Sequence, residues 1–374
     1  MKTIVIAAYV RTPFHFAKKG LLAKVRPDDL AAVAVKGLVA RAGLDVELYE
    51  DLIMGCAFPE AEQGYNIARL VGLLAGLPLT LPGQTINRFC GSSMQAIHSA
   101  AGALQYDDRK AFLCAGVESM SRIPMTGYNP MPNPGLYKSR PGVYMGMGDT
   151  AEVLAGKFKV SRADQERFSV NSHAKAAAAR TEGRLSAEIV PVGAVTEDGC
   201  IRPDTTAEAL AALKPVFDVN GVVTAGTASP LTDGASATLV CSEDFAAKHG
   251  LSPLARIKSF AVSGCEPEIM GIGPIQSTRM ALERAGLTVD DLDVIELNEA
   301  FAVQALVCIR ELGLNESKVN LDGGAIALGH PLGATGARIT GKAAQLLQRT
   351  KGRYALATQC IGGGQGIATV LEAV

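Results

Sequence analysis

The chain has no tryptophan, and aromatic residues make up only 5% of its 374 positions. It also lacks a charge excess: 36 Lys and Arg stand against 37 Asp and Glu, a formal net charge of −1. Binding to a phosphate backbone usually leaves a basic footprint, so this balance argues against nucleic acid as the main partner. No apolar run reaches membrane-spanning length. The apolar opening, Met1 to Arg11, is too short for a signal or anchor and reads as a first buried strand. These absences predict a cytoplasmic protein with no integral membrane association. Metal motifs are missing too. There is no HExxH, and no two of the eight cysteines lie within four positions, so no CxxC pair exists and no metal site is predicted. Gly336–Lys342 matches GxxxxGK, but Ala343 stands where a P-loop needs Ser or Thr, and the stretch reads as helix interior.

What is present points to a globular protein. Hydrophobic residues at 48% and charged residues at 20% suit a sizeable core and exclude disorder. Glycine is abundant, 40 of 374 residues, against a usual share of about 7%. Arg41-Ala42-Gly43-Leu44 recurs as Arg284-Ala285-Gly286-Leu287, an offset of 243 that also carries Ala57-Phe58 onto Ala300-Phe301. A constant offset over several anchors indicates duplication. Each copy reads as strand, helix, strand, helix, strand. The first runs over 3–10, 28–42, 52–56, 91–104 and 111–115, and the second over 255–262, 278–285, 293–297, 333–348 and 353–358. Alternating strands and helices predict a mainly parallel, helix-covered sheet in each half. The expected organisation is 1–118 plus 232–252 as the first half, 119–231 as an inserted loop domain, and 253–374 as the second half. Five of the ten methionines lie within 120–147, interleaved with prolines. That composition suits either a surface excursion or an adaptable apolar wall, and a long irregular segment is more often functional.

Four segments can carry chemistry. Cys90 precedes a helical face marked by Met94, Ile97, Ala101 and Leu104. A thiol at a helix N-terminus is biased towards thiolate, although a buried structural cysteine at a tight turn reads equally well there. Asn298 follows a buried strand at a place where open sheets bind ligands, and it could hold a water or an oxyanion, or simply cap a turn. His330, between Gly329 and Pro331, has an ordinary pKa suited to general-base work. Cys360 follows the last predicted strand and leads into Gly362, Gly363 and Gly364; pseudo-symmetry brings it towards the same sheet edge. His98 reads as structural.

Taken together and in order, Asn87-Arg88-Phe89-Cys90-Gly91-Ser92-Ser93, Asn298-Glu299-Ala300-Phe301, Gly329-His330-Pro331-Leu332-Gly333 and Cys360-Ile361-Gly362-Gly363-Gly364 resemble the thiolase family. The resemblance runs from Arg11-Thr12-Pro13 to the C-terminus and implies the duplicated thiolase fold, α/β in five αβαβα layers. It implies that Cys90 is acylated, that His330 takes its proton, and that Cys360 is a second acid/base with a thiol pKa near enough to neutrality for both roles. Asn298 would hold a water that forms one oxyanion hole with His330. The backbone N–H groups of Cys90 and Gly362 would form the other. By position, Ser229 and Ala225 would meet the pantetheine, and Met147 and Phe301 would line the thioester pocket. The segment 193–201 is short relative to the family. No cofactor is implied, since coenzyme A and acyl-CoA are substrates. A homodimer or homotetramer is implied, with a hydratase/dehydrogenase subunit of β-oxidation as a further partner. The segment around Cys90 and Val117-Glu118-Ser119-Met120 resemble the degradative 3-ketoacyl-CoA branch. The alternative is the biosynthetic acetoacetyl-CoA thiolase. A decarboxylating ketosynthase would carry His or Asn in place of Cys360, and a silent subunit would not retain all four groups.

Overall fold

The computed structural model describes residues 1–374. The first half contains β1 (Ile4–Arg11), α1 (Pro27–Ala42), β2 (Tyr49–Gly55), α2 (Ile67–Leu74), β3 (Gly83–Ile86), α3 (Ser92–Ala103) and β4 (Ala111–Ser119). The insertion carries α4 (Met147–Phe158) and α5 (Arg162–Thr181). Then follow β5 (Thr232–Ser242), β6 (Ala255–Gly264), α6 (Gly273–Ala285), β7 (Val294–Leu297), α7 (Ala302–Leu312), α8 (Leu332–Thr350), β8 (Tyr354–Ile361) and β9 (Gln365–Glu372).

The strands run in the order β3-β2-β4-β5-β1-β6-β9-β8-β7, so the second half repeats the first in reverse about the β1–β6 seam. Only Val5↔Arg256 and Ile6↔Ala255 pair across that seam. The expected mainly parallel sheet is corrected here. Parallel pairing is confined to β2 with β3, β2 with β4, and β7 with β8. The strands β5 and β9, absent from the sequence reading, pair antiparallel with both of their neighbours, and the β1–β6 seam is antiparallel as well. The reason is local at β9: the glycine turn after Ile361 is too short for a crossover, so the chain returns as a hairpin. Cys360 therefore lies inside β8 rather than after the last strand.

Three apolar cores fill the spaces between five layers, the middle one lying on both sides of the central helices α3 and α8. In β2, Leu52 and Met54 face the outer core with Leu30, Val35 and Leu38 of α1, while Ile53 faces the middle core with Met94 and Ile97 of α3 and Ile339 and Leu346 of α8. This is the period-two alternation of a strand covered on both faces. On the far side, α6 and α7 cover the second half together with Leu154 of α4 and Phe168 of α5. The insertion thus shares the core of the second half. Its return path is fixed to β1 by Arg11, which is fully buried and donates to both oxygens of Asp198 at 2.6 and 2.8 Å and to Glu188 at 2.8 Å.

Helix α8 is central and enclosed, so its cations need partners. Arg338 meets Glu296 at 2.7 Å, and Lys342 meets Asp322 at 2.7 Å and Glu188 at 3.1 Å. At Gly336 a Cβ would strike the backbone nitrogen of Met94. The absence of a side chain there lets α8 and α3 touch backbone to backbone beneath the site.

Candidate active site

Cys90 occupies the 3₁₀ turn Phe89–Gly91 that leads into α3. The turn is built by its own side chains. Asn87 accepts from the Phe89 N–H at 2.8 Å, and the Ser92 hydroxyl accepts from Arg88 N–H at 2.9 Å and donates to the Phe89 carbonyl at 2.6 Å. Phe89 takes φ +42°, a left-handed conformation that a bulky residue holds only when its surroundings impose it. The end of β8 closes on this turn. The Gln359 amide donates to the Cys90 carbonyl, and the Gly362 N–H points at the Cys90 thiol. Cys360 is close enough for the two thiols to perturb one another.

His330 sits in a loop where Gly329 adopts φ +103°, a conformation for glycine alone. Its own N–H donates to Thr232 Oγ1 at 3.0 Å. The Asn298 amide donates to Nε2 at 3.3 Å, and Nδ1 lies 2.6 Å from Thr335 Oγ1. Because the Thr335 hydroxyl donates to the Pro331 carbonyl at 3.0 Å, it accepts from Nδ1–H. The ring is therefore the Nδ1–H tautomer, with the basic lone pair of Nε2 turned into the site. Asn298 is held by its N–H to Thr358 O at 3.0 Å, and its buried Oδ1 has no protein partner, which suits it to accept from a water or substrate.

Burial sets the electrostatics and corrects three expectations. The helix N-terminus was expected to favour thiolate at Cys90. Instead, desolvation pushes that thiol up to about 11, with nearby Glu118 adding to the rise and the Gly362 N–H opposing it. The Cys360 thiol is raised well above its ordinary value by burial and then by Cys90, so it is not poised near neutrality. Burial, aided by Arg338, lowers His330 to about 3. The resting site holds two thiols and a neutral imidazole. Proton transfer must accompany nucleophilic attack rather than precede it.

The remaining predicted residues flank this centre. Met147 opens α4 and lies against Gly362, where a Cβ would sit 3.3 Å from its sulfur. Phe301 is buried and meets the Phe217 ring edge-on at 6.0 Å. Ser229 donates its N–H to the Ala300 carbonyl at 3.0 Å, placing it beside the Asn298 segment, and Ala225 is exposed further along the same stretch. Of the methionines in 120–147, Met120 shares an apolar cluster with Cys90, whereas Met125 and Met131 are exposed. His98 is stacked on Phe260 and bonded to Thr369, a structural residue.

This geometry agrees with the comparisons. The thiolase N-terminal domain family matches residues 4–244 and the thiolase C-terminal domain family matches 251–373. The chain belongs to the thiolase family. This thiolase is 48% identical over 389 aligned residues to a 3-ketoacyl-CoA thiolase of Bacillus subtilis, with both chains covered completely. It is 49% identical to a 3-ketoacyl-CoA thiolase of Vibrio cholerae, again over the full length of both. The crystal structure of human mitochondrial 3-ketoacyl-CoA thiolase matches with a TM-score of 0.92 and 40% identity, covering 100% of this chain and 99% of that one. The five-layered thiolase fold expected from sequence is the fold observed.

Sequence reasoning passed over Thr335, Glu118, Glu299 and Gln359, all of which touch the reacting groups or their supports. A signal existed for Glu118: it is the only charged residue in the otherwise apolar strand Ala111–Ser119, and a buried charge in such a run needs partners.

Proposed function

We propose that this thiolase cleaves 3-ketoacyl-CoA with coenzyme A, releasing acetyl-CoA and an acyl-CoA two carbons shorter. The reading is carried by the convergence of the Cys90 turn, the end of β8 with Cys360 and Gly362, and the His330–Asn298 pair. Similarity over full length to relatives bearing the 3-ketoacyl-CoA thiolase name supports the degradative direction.

The residues divide the chemistry as follows. Cys90 Sγ attacks the 3-keto carbon while its proton passes to His330 Nε2. The oxyanion formed there is met by the Cys90 and Gly362 N–H groups. The C2–C3 bond breaks and its electron pair enters the acetyl-CoA enolate. The thioester oxygen of that enolate is met by His330 and a water on Asn298, and Cys360 protonates C2. Coenzyme A then gives its thiol proton to the Cys360 thiolate and attacks the acyl-Cys90 carbonyl; the bond from that carbon to Cys90 Sγ breaks, and the departing sulfur takes back its proton from His330 Nε2. Both developing charges fall on oxygens facing N–H or water donors, so the scheme needs no metal or redox group beyond the CoA substrates. Met147 and Phe301 line the thioester pocket, and Ser229 and Ala225 face the pantetheine.

The same reading makes the enzyme a cytoplasmic homodimer. All eight cysteines are free thiols, as suits a reducing compartment, and no helix is long and apolar enough to cross a membrane. The edge strand β3 has one unpaired side, next to exposed Leu70, Leu73, Leu74 and Leu79. An open edge beside an apolar face suits a second copy of the chain. Light scattering after gel filtration tests this, and a monomer would refute it.

Turnover tests the function. Thiolysis of a 3-ketohexadecanoyl-CoA should exceed that of acetoacetyl-CoA. Equal or faster turnover of the four-carbon substrate would favour the acetoacetyl-CoA alternative.

A further inference from the structure

The His330 loop joins the short helix Ala325–Leu328 to α8. Each of these helices presents a first-turn N–H to a buried carboxylate. Ile326 N–H donates to Glu299 at 3.1 Å, and Gly333 N–H donates to Glu118 at 2.9 Å. The two acids come from opposite halves, Glu118 from β4 and Glu299 from the residue after Asn298.

Each carboxylate also grips its own half. Glu118 accepts from Ala57 N–H at 2.9 Å, Phe58 N–H at 3.3 Å and the Gln63 amide at 2.7 Å. Ala57 belongs to the apolar cluster around Cys90, and Phe58 packs on it. Glu299 accepts from the Ser172 hydroxyl and the Asn320 amide, both at 2.7 Å. Asn320 in turn brackets Leu297, accepting its N–H at 3.0 Å and donating to its carbonyl at 2.9 Å. One end of the histidine loop is thus tied to the strand that carries Asn298, and the other to the wall of the Cys90 pocket. A carboxylate out of water is costly unless several donors meet it; here four and three do so.

We propose that Glu118 and Glu299 are positioning residues for acylation, a pair of clamps, one from each half of the duplicated fold, that fix His330 Nε2 relative to Cys90 and Asn298. Neither touches the reacting atoms. Glutamine has the same size but would turn an N–H₂ group towards N–H donors and release one side of the loop. A displacement of about 1 Å in such a site costs roughly 100-fold in rate.

The inference rests on the acyl-cysteine reading, and the experiment separates the two. Wild-type protein is mixed with acetyl-CoA and Cys90 acylation is followed by intact-mass spectrometry. Absence of acylation in the wild type would sink the functional reading itself. With acylation established, Glu118→Gln and Glu299→Gln should each slow it by about 10- to 100-fold, while coenzyme A affinity stays within about threefold. In a His330→Ala background, either substitution should cost less than about threefold more, because the clamp acts through a side chain no longer present. Wild-type acylation rates in folded variants would overturn the proposal. So would full additivity with His330→Ala. Should one variant fail to fold, the other decides; if both fail, the residues serve folding and the positioning role is refuted.

Discussion

Thr335→Val is the most informative single change near His330. Valine matches threonine in shape but cannot accept the Nδ1–H that lies 2.6 Å from the hydroxyl. His330 is only 4% exposed, so water does not replace the lost partner. A buried donor left unsatisfied costs about 1–3 kcal/mol. The ring escapes that cost by moving its proton to Nε2, where Asn298 can turn its oxygen to accept it. That tautomer has no lone pair for the Cys90 proton. The population of competent enzyme therefore falls by about 5- to 160-fold, and the Cys90 acylation rate falls with it. Stopped-flow or quenched-flow measurement of acylation by acetyl-CoA gives the rate directly. Thr335→Ser, which keeps the hydroxyl, should recover most of it. A Thr335→Val enzyme acylating within twofold of wild type, or a serine variant as slow as the valine one, would refute the tautomer argument.

Other outcomes follow from the same geometry. The Cys90 thiol, raised to about 11, is protonated below that pH. Inactivation by iodoacetamide should rise about tenfold per pH unit from 7 to 10, and a plateau below pH 8 would contradict this. Gly336→Ala forces a methyl group into the Met94 backbone; urea unfolding should show a loss of about 1–3 kcal/mol or more, and an unchanged midpoint would show that α8 and α3 can part freely. Arg338→Met leaves buried Glu296 without its 2.7 Å partner and should destabilise by about 3–5 kcal/mol, most of it regained when Glu296→Leu is added. A double variant no more stable than Arg338→Met would show that the loss was one of packing.

The layers were legible in sequence where periodicity was strong. The strands read at 3–10, 52–56 and 111–115 and the helices read at 28–42 and 333–348 follow from apolar runs and amphipathic spacing, and each overlaps an observed element. The antiparallel partners β5 and β9 were not. Thr232–Ser242 and Gln365–Glu372 mix small and polar residues and are buried by tertiary packing, with no alternation to mark them. Cys90, Asn298, His330 and Cys360 stood out because glycine, proline or a strand end surrounds each in the chain. Thr335, five residues beyond His330, did not, because a threonine inside a helix carries no signal until the helix is seen to aim it at the imidazole. The pKa directions were also illegible. The helix-terminus argument for Cys90 was sound locally, but the depth of burial, set by α8 and β8 from the other half of the chain, outweighs it.

The central claim is that two cysteines divide the reaction, Cys90 forming the bond to the acyl group and Cys360 moving the proton at C2. It is tested most directly by intact-mass measurement of Cys360→Ala after mixing with acetyl-CoA, alongside its steady-state thiolysis rate. The account predicts an acetylated protein whose thiolysis of 3-ketoacyl-CoA is slowed by about 100- to 10,000-fold, while Cys90→Ser gains no acetyl mass. Full thiolysis by Cys360→Ala would contradict it.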